Sequence, residues 1–207
     1  MDKEIRNLEN SEIRVVSKEA EASRTIEGYA LVFNSLSEDL GGFREQISPD
    51  ALEGVLDKSD IYALLNHSNE RGILARSRYG KGSLDLEVDE KGLKYRFEAP
   101  MTNLGDEVLE YLRRGEISQS SFAFTVDCDE WEKQGDGNYI RTIKKFNRLY
   151  DVSPVFEPAY QATSVGCARF NEIKEEERKA NEEAMKEANL KSYYENIKEE
   201  NSKWLTE

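Results

Sequence analysis

The chain has 207 residues, 29 Lys+Arg against 42 Asp+Glu, one histidine and a formal net charge of −13. Its 38% hydrophobic content can build a packed core, unlike that of a disordered chain. One histidine and two cysteines exclude a His- or Cys-rich zinc or iron centre. A sequence pI near 4.8 argues against nucleic acid as the main partner, because phosphate binding needs a basic face.

Cys128 and Cys167 form no CxxC and read as ordinary reduced residues. The opening residues MDKEIRNLENSE lack the apolar stretch of a signal peptide, and no apolar run approaches the ~20 residues of a membrane span. The expectation is a soluble, intracellular protein with no metal, cofactor or membrane partner.

In chain order, Ile13 to Val16 and Thr25 to Phe33 read as strands, the second interrupted at Gly28. Ser48-Pro49-Asp50, followed by Ala51, Leu52, Val55 and Leu56, reads as a helix start with Ser as N-cap and Pro in the first turn. Asp60 to Asn66 is a short apolar strand. Ser83 to Val88 alternates, and Asp89-Glu90-Lys91-Gly92 turns it into Gly92 to Glu98, a hairpin. Thr102 to Arg114 is a second helix: Thr102 or Asn103 can cap it, Arg113 and Arg114 complement its C-terminal dipole, and Gly115 stops it.

Ile117 to Asp127 alternates again, with Phe122, Phe124 and Val126 on one face and Ser121, Ala123 and Thr125 on the other. Tyr139 to Ile143, Phe146 to Val152 and Val165 to Phe170 read as three more strands. Composition breaks near residue 171. Residues 172–207 hold 11 acidic and 7 basic residues and no Pro or Gly, so they read as a charged helical tail that cannot bury a core of its own. The fold expectation is mostly β with α, an α+β chain. Residues 1–171 would form a closed or near-closed β-barrel of about seven strands with helical insertions, followed by the tail at 172–207.

Three features could carry chemistry. His67 ends an apolar strand, where an unperturbed imidazole suits general-base work; a lone histidine can equally be structural. Ser120 and Ser121 sit in a serine cluster at a strand entry, where a hydroxyl could be a nucleophile or merely bond to backbone. Asp151 and Glu157 are carboxylates in an otherwise apolar segment, either able to hold the second imidazole nitrogen or to be a plain strand-end charge. GxSxG, SxxK, HExxH and P-loop motifs are absent. Nothing near either cysteine suggests an activating, electropositive site.

Taken in order, these features resemble the prohead proteases of tailed phages of the HK97 type, themselves distantly similar to herpesvirus assemblin proteases. The matching stretches are Gly28-Tyr-Ala-Leu-Val-Phe-Asn34, Phe43-Arg-Glu-Gln-Ile-Ser-Pro-Asp-Ala-Leu52, Leu64-Leu-Asn-His67, Arg113 through Phe124, and Asp151-Val-Ser-Pro-Val-Phe-Glu-Pro-Ala-Tyr160. They span about residues 12–170.

The resemblance implies a serine endopeptidase with Ser121 as nucleophile, His67 as base and Asp151 as third member, Ser120 and Glu157 being the reserves. Relatives often carry Glu-Val-Ser where this chain has Asp151-Val-Ser153. A single histidine excludes the Ser-His-His arrangement of the herpesvirus enzymes. The resemblance further implies action in the host cytoplasm, inside the procapsid, on the major capsid protein's scaffold segment or a scaffolding protein, and on the protease itself. A homodimer is compatible with it, and the tail would be a scaffold- or capsid-docking segment. If the aromatic face of the 117–127 strand fills the barrel, Ser121 lies on its outer surface. The competing readings are a non-catalytic assembly scaffold or chaperone on the same fold, and a small-substrate esterase or amidase.

Overall fold

A computed structural model describes residues 3–8, 11–16, 23–156 and 164–204. Contacts divide the chain into two units, Met1–Val165 and Gly166–Glu207. In chain order the first carries strands β1 (Glu4–Leu8), β2 (Arg14–Val15), β3 (Thr25–Val32), β4 (Phe43–Ile47), β5 (Asp60–Ala63), β6 (Ala75–Arg78), β7 (Lys81–Gly82), β8 (Leu84–Val88) and β9 (Gly92–Glu98). Helix α1 (Asn103–Arg114) and the long strands β10 (Gln119–Lys133) and β11 (Tyr139–Val155) follow.

The chain is α+β and mostly strand, but it is not a closed barrel. Among the described residues the strands form two sheets. One has seven strands, in the order β1-β10-β11-β5-β6-β7, with β4 also pairing on β11; the other has four, in the order β2-β3-β9-β8. β11 is long enough to take two parallel neighbours in succession, β4 along Tyr139–Ile143 and β5 at Asp151 and Val152. Among the described residues no ladder joins one sheet to the other. Both contribute to one apolar core: Ile26, Leu31, Tyr95 and Phe97 from the smaller, Phe122, Phe124, Phe146 and Leu149 from the larger. Alternating apolar residues require only that each sheet bury one face, and two sheets sharing a core satisfy this as well as a closed one.

Helix α1 follows its sequence signals. The Thr102 hydroxyl accepts from the Gly105 N–H at 3.3 Å, and Gly115 takes the left-handed conformation, φ 74°, that closes the helix. The expected helix at 48–56 is instead two short 3₁₀ turns, Pro49–Leu52 and Leu56–Lys58. Ser48 makes no side-chain cap bond, and Gly54, at φ +67°, turns the chain out of helical geometry. Gly28 does not interrupt β3, which pairs through it with Tyr95. A Cβ there would lie 3.0 Å from Ile13 and 3.2 Å from the Tyr95 hydroxyl, so the glycine makes room for both.

The two strands expected at 139–152 are one, β11, whose register against β10 slips at several bulges near Val126 and Cys128. Val165 to Phe170 is not a strand but the start of helix α2 (Ser164–Trp204). A short apolar run is ambiguous between strand and helix, and the helix formers that follow decide it. In the second unit, α2 exposes Met185, Leu190, Tyr193 and Tyr194 and carries exposed ion pairs such as Arg178 with Glu175 at 2.7 Å. Among the described residues no helix is long and apolar enough to cross a membrane.

Strands β1 and β4 escaped the hydrophobic pattern because charged residues occupy inward positions: Glu4 and Arg6 in β1, and Glu45 between the buried Phe43 and Ile47 in β4. Glu4, Arg6 and Glu45 are buried, as is Arg141 of β11. The Arg141 guanidinium donates to Glu4 at 2.8 and 3.0 Å, to Glu45 at 2.8 Å and to Asp129 at 2.7 Å. Arg6 donates to Glu45 at 2.8 and 2.9 Å and to Glu4 at 2.7 Å. Burial pushes the Glu4 carboxyl up, but its bonds to Arg141 and Arg6 and their charges hold it below the usual range. Removing one partner of such a set leaves a buried charge uncompensated, which costs about 3–5 kcal/mol. Arg141→Leu is therefore expected to lower the unfolding free energy by about that amount, read from urea denaturation at neutral pH, whereas the exposed Arg178→Leu is expected to change it by less than about 0.5 kcal/mol.

Candidate active site

The site forms where β10, β11 and the turn after β5 meet. Successive residues of a strand point to opposite faces, and this separates the two candidate serines. Ser120 points to the core side, where its hydroxyl pairs with that of Tyr95 at 2.8 Å. Ser121 points to the other face, with its Oγ 2.6 Å from His67 Nε2. Ser120 is thus held away from the imidazole.

His67 reaches Ser121 because the chain turns sharply after β5. Asn66 and His67 are both left-handed, at φ 51° and 59°. Asparagine and histidine enter this region more readily than most residues, but it still carries a cost for any non-glycine residue, and two in succession persist only where surrounding bonds impose it. Those bonds are visible. The Asn66 N–H donates to the Pro154 carbonyl at 3.1 Å, and Asn66 Oδ1 accepts from the Phe156 N–H at 3.1 Å. The turn is clamped to the end of β11, the strand that carries Asp151.

Asp151 sits opposite Ala123 on β10 and beside Tyr62 on β5. Its Oδ1 is hydrogen-bonded to His67 Nδ1 and accepts from the Ser153 hydroxyl at 2.7 Å; its Oδ2 accepts from Lys3 Nζ at 3.0 Å. With Nδ1–H donating to the carboxylate, His67 Nε2 is left as the acceptor that faces Ser121. The Ser121 hydroxyl has a second acceptor within reach, the Arg6 carbonyl at 2.8 Å.

The structure therefore brings Ser121, His67 and Asp151 into one hydrogen-bonded chain, and Ser120 outside it. Glu157 lies outside the described residues. Both imidazole nitrogens are engaged by Asp151 and Ser121, so neither cysteine takes the place of the serine. The expectation that Ser121 lies on an outer surface is corrected: its exposure is 0%. It is flanked by β1 and β11 in the sheet and approached by the His67 ring from the turn after β5.

Lys3, Arg6 and Ser153 went unnoticed in the sequence. Ser153, two residues beyond Asp151 and so on its face of the strand, carried a usable signal in the Asp-x-Ser spacing. The β1 residues carried none, because their place depends on a long-range pairing.

A nucleophilic hydroxyl, an imidazole held in one tautomer and a buried carboxylate are the groups that acyl-transfer hydrolases require. The sequence comparison gives the class. The profile of the caudovirus prohead serine protease family matches residues 11–179, and the chain belongs to that family. It is a serine protease of phage head maturation. Among solved structures, that of the bacteriophage T4 capsid assembly protease, gp21, is similar with a TM-score of 0.46 at 14% identity, covering 75% of this chain and 98% of that one. No curated protein sequence matches the chain.

Burial pushes the Asp151 carboxyl up, but the His67 hydrogen bond, the charges of His67 and Lys3 and the Ser153 bond outweigh it, so the carboxyl lies below its usual range. A carboxyl lowered by folding stabilises the native state fully above its unfolded value, about 3.9, and the contribution is lost as pH falls through the folded value. Asp151→Asn is accordingly expected to flatten the acid limb of stability below about pH 4, measured as the urea midpoint against pH.

Proposed function

We propose that Ser121, His67 and Asp151 are the catalytic triad of this protease, and that it cleaves the scaffold segment of the major capsid protein or a scaffolding protein, and itself, inside the procapsid in the host cytoplasm. The observation that carries the reading is the unbroken chain from Asp151 Oδ1 through both nitrogens of His67 to Ser121 Oγ. The Ser121 oxygen attacks a peptide carbonyl while its proton passes to His67 Nε2. His67 returns that proton to the departing amine, leaving an ester on Ser121. Water, deprotonated by His67, then hydrolyses the ester and restores the hydroxyl. Asp151 keeps the imidazole in the productive tautomer and stabilises its cationic form.

The test is co-expression with the capsid protein, followed by kinetics on the purified polypeptide. Ser121→Ala and His67→Ala are each expected to reduce cleavage by roughly 10⁴-fold or more. Ser120→Ala is expected to retain activity within about tenfold, since it loses one neutral hydrogen bond away from the imidazole. Full processing by Ser121→Ala would refute the assignment. His67 is the one histidine of the chain, so any imidazole limb of the pH–rate profile must disappear with His67→Ala.

We also propose that the charged tail after about residue 171 docks the enzyme to scaffold or capsid protein and is dispensable for peptide-bond cleavage. Its support is the exposed apolar set Leu190, Tyr193 and Tyr194, spaced along one side of α2. The family match ends at 179, so deleting residues 180–207 leaves the matched region whole. The deletion is expected to leave kcat/KM on a soluble capsid polypeptide within about twofold while abolishing incorporation into proheads; a comparable loss of both would overturn the docking role.

A further inference from the structure

β1 lies antiparallel to β10, with Asn7 directly opposite Ser121. Directly opposed residues put their side chains on one face, with Cβ atoms about 4.5–5.5 Å apart. The face that carries Ser121 therefore carries Asn7 on one flank and Ser153, its partner on β11, on the other. Gln119, two residues before Ser121 on the same strand, shares that face.

Asn7 and Gln119 hold buried polar atoms that nothing among the described residues satisfies. Among the described residues, the buried side-chain atoms without a hydrogen-bond partner are Asn7 Oδ1, Asn7 Nδ2 and Gln119 Oε1. Leaving such a group unpaired costs about 1–3 kcal/mol, and buried polar groups are otherwise bonded almost without exception. Here even the buried ions Glu4, Arg6, Glu45 and Arg141 are paired. The unpaired atoms gather beside one residue, Ser121.

A carboxamide presents a donor and an acceptor side by side, as a peptide bond does. It can therefore complete a rung with an extended chain, much as a neighbouring strand would. We propose that Asn7 and Gln119 bind the main chain of the substrate beside Ser121. The Asn7 carboxamide takes one peptide C=O through Nδ2 and one N–H through Oδ1, and Gln119 Oε1 accepts a second N–H. The substrate class is a polypeptide segment in extended conformation, gripped by its backbone rather than by one side chain. Ser121 and these atoms are buried together in the free protein, so they become available together when this face opens to the substrate. The inference rests on the reading of Ser121 as the nucleophile. It also extends the site beyond the matched family region, since Asn7 precedes residue 11.

The test uses the full chain, the purified capsid polypeptide as probe, and the apolar near-isosteres Asn7→Leu and Gln119→Met. Removing unsatisfied polar atoms is expected to leave the thermal midpoint unchanged or raised. Each substitution is expected to raise KM and lower kcat/KM, Gln119→Met roughly tenfold, the size of one neutral hydrogen bond, and Asn7→Leu, which loses two, by more than that. In the Ser121→Ala background, where turnover is absent, each is expected to weaken equilibrium binding of the polypeptide by a similar factor. Unchanged kcat/KM and binding would overturn the inference, and so would a fall in thermal midpoint that accounts for the lost activity. Wild-type chain that binds the polypeptide but never cleaves it would instead refute the role of Ser121, while the binding comparison still judges Asn7 and Gln119.

Discussion

The larger sheet depends on a charge cluster it has no room to leave unpaired. Arg141 projects from β11 into a space shared with Glu4 of β1, Glu45 of β4 and Asp129 of β10. These groups give little net stability over an apolar filling of the same shape, because desolvation offsets most of the attraction. What they impose is position. A guanidinium bonded on several edges accepts few arrangements of its carboxylates. β1 is only five residues long and lies at the end of its sheet, where backbone pairing alone holds a strand weakly. Arg6, bidentate to Glu45, and Glu4, bidentate to Arg141, fix its register against β10.

That register reaches the proposed catalytic groups. Once Arg6 stands opposite Phe122, its carbonyl meets the Ser121 hydroxyl and the Asn7 side chain falls beside it. Lys3, just before the strand, reaches Asp151 Oδ2. The serine has one proton and two acceptors, His67 Nε2 and the Arg6 carbonyl. In the proposed mechanism only the first bond leads to chemistry, since a peptide carbonyl oxygen is far too weak a base to hold the proton. A small shift of β1 therefore biases the hydroxyl toward or away from the imidazole. This links an ion cluster on one face of the sheet to the Ser121 hydroxyl on the other.

Legibility in the sequence followed the range of the interactions involved. Helix α1 was readable from Thr102 to Gly115 because caps and stops act within four residues. The hairpin of β8 and β9 was readable for the same reason. The core strands β3 and β10 showed their alternation plainly. Strands β1 and β4 did not, because Glu4, Arg6 and Glu45 read as solvent-facing charges until Arg141, 96 residues or more away, is placed among them. The division into two sheets was equally hidden, since alternation reports burial of a face and not the closure of a ladder. At the site, resemblance and order along the chain singled out Ser121, His67 and Asp151, which the structure places in one hydrogen-bonded chain. The sidedness of Ser121 was right and its exposure wrong, because exposure depends on what other segments lay over that face.

In the proposed triad, the surroundings of Asp151 compensate for a shorter side chain. The resemblance to the phage proteases implies a glutamate at the position of Asp151, and against that expectation the carboxylate here is one methylene shorter. The left-handed pair Asn66 and His67 swings the imidazole toward β11, and the clamp from Asn66 to Pro154 and Phe156 holds it there. Asp151 is in turn steadied on both oxygens, by Ser153 on one and Lys3 on the other. A carboxylate fixed in this way loses little entropy in orienting the imidazole, and its depressed pKa keeps it ionised while His67 becomes cationic. The strained turn and the short acid are thus two parts of one geometric solution: the backbone at 66–67 supplies the reach that the side chain at 151 lacks.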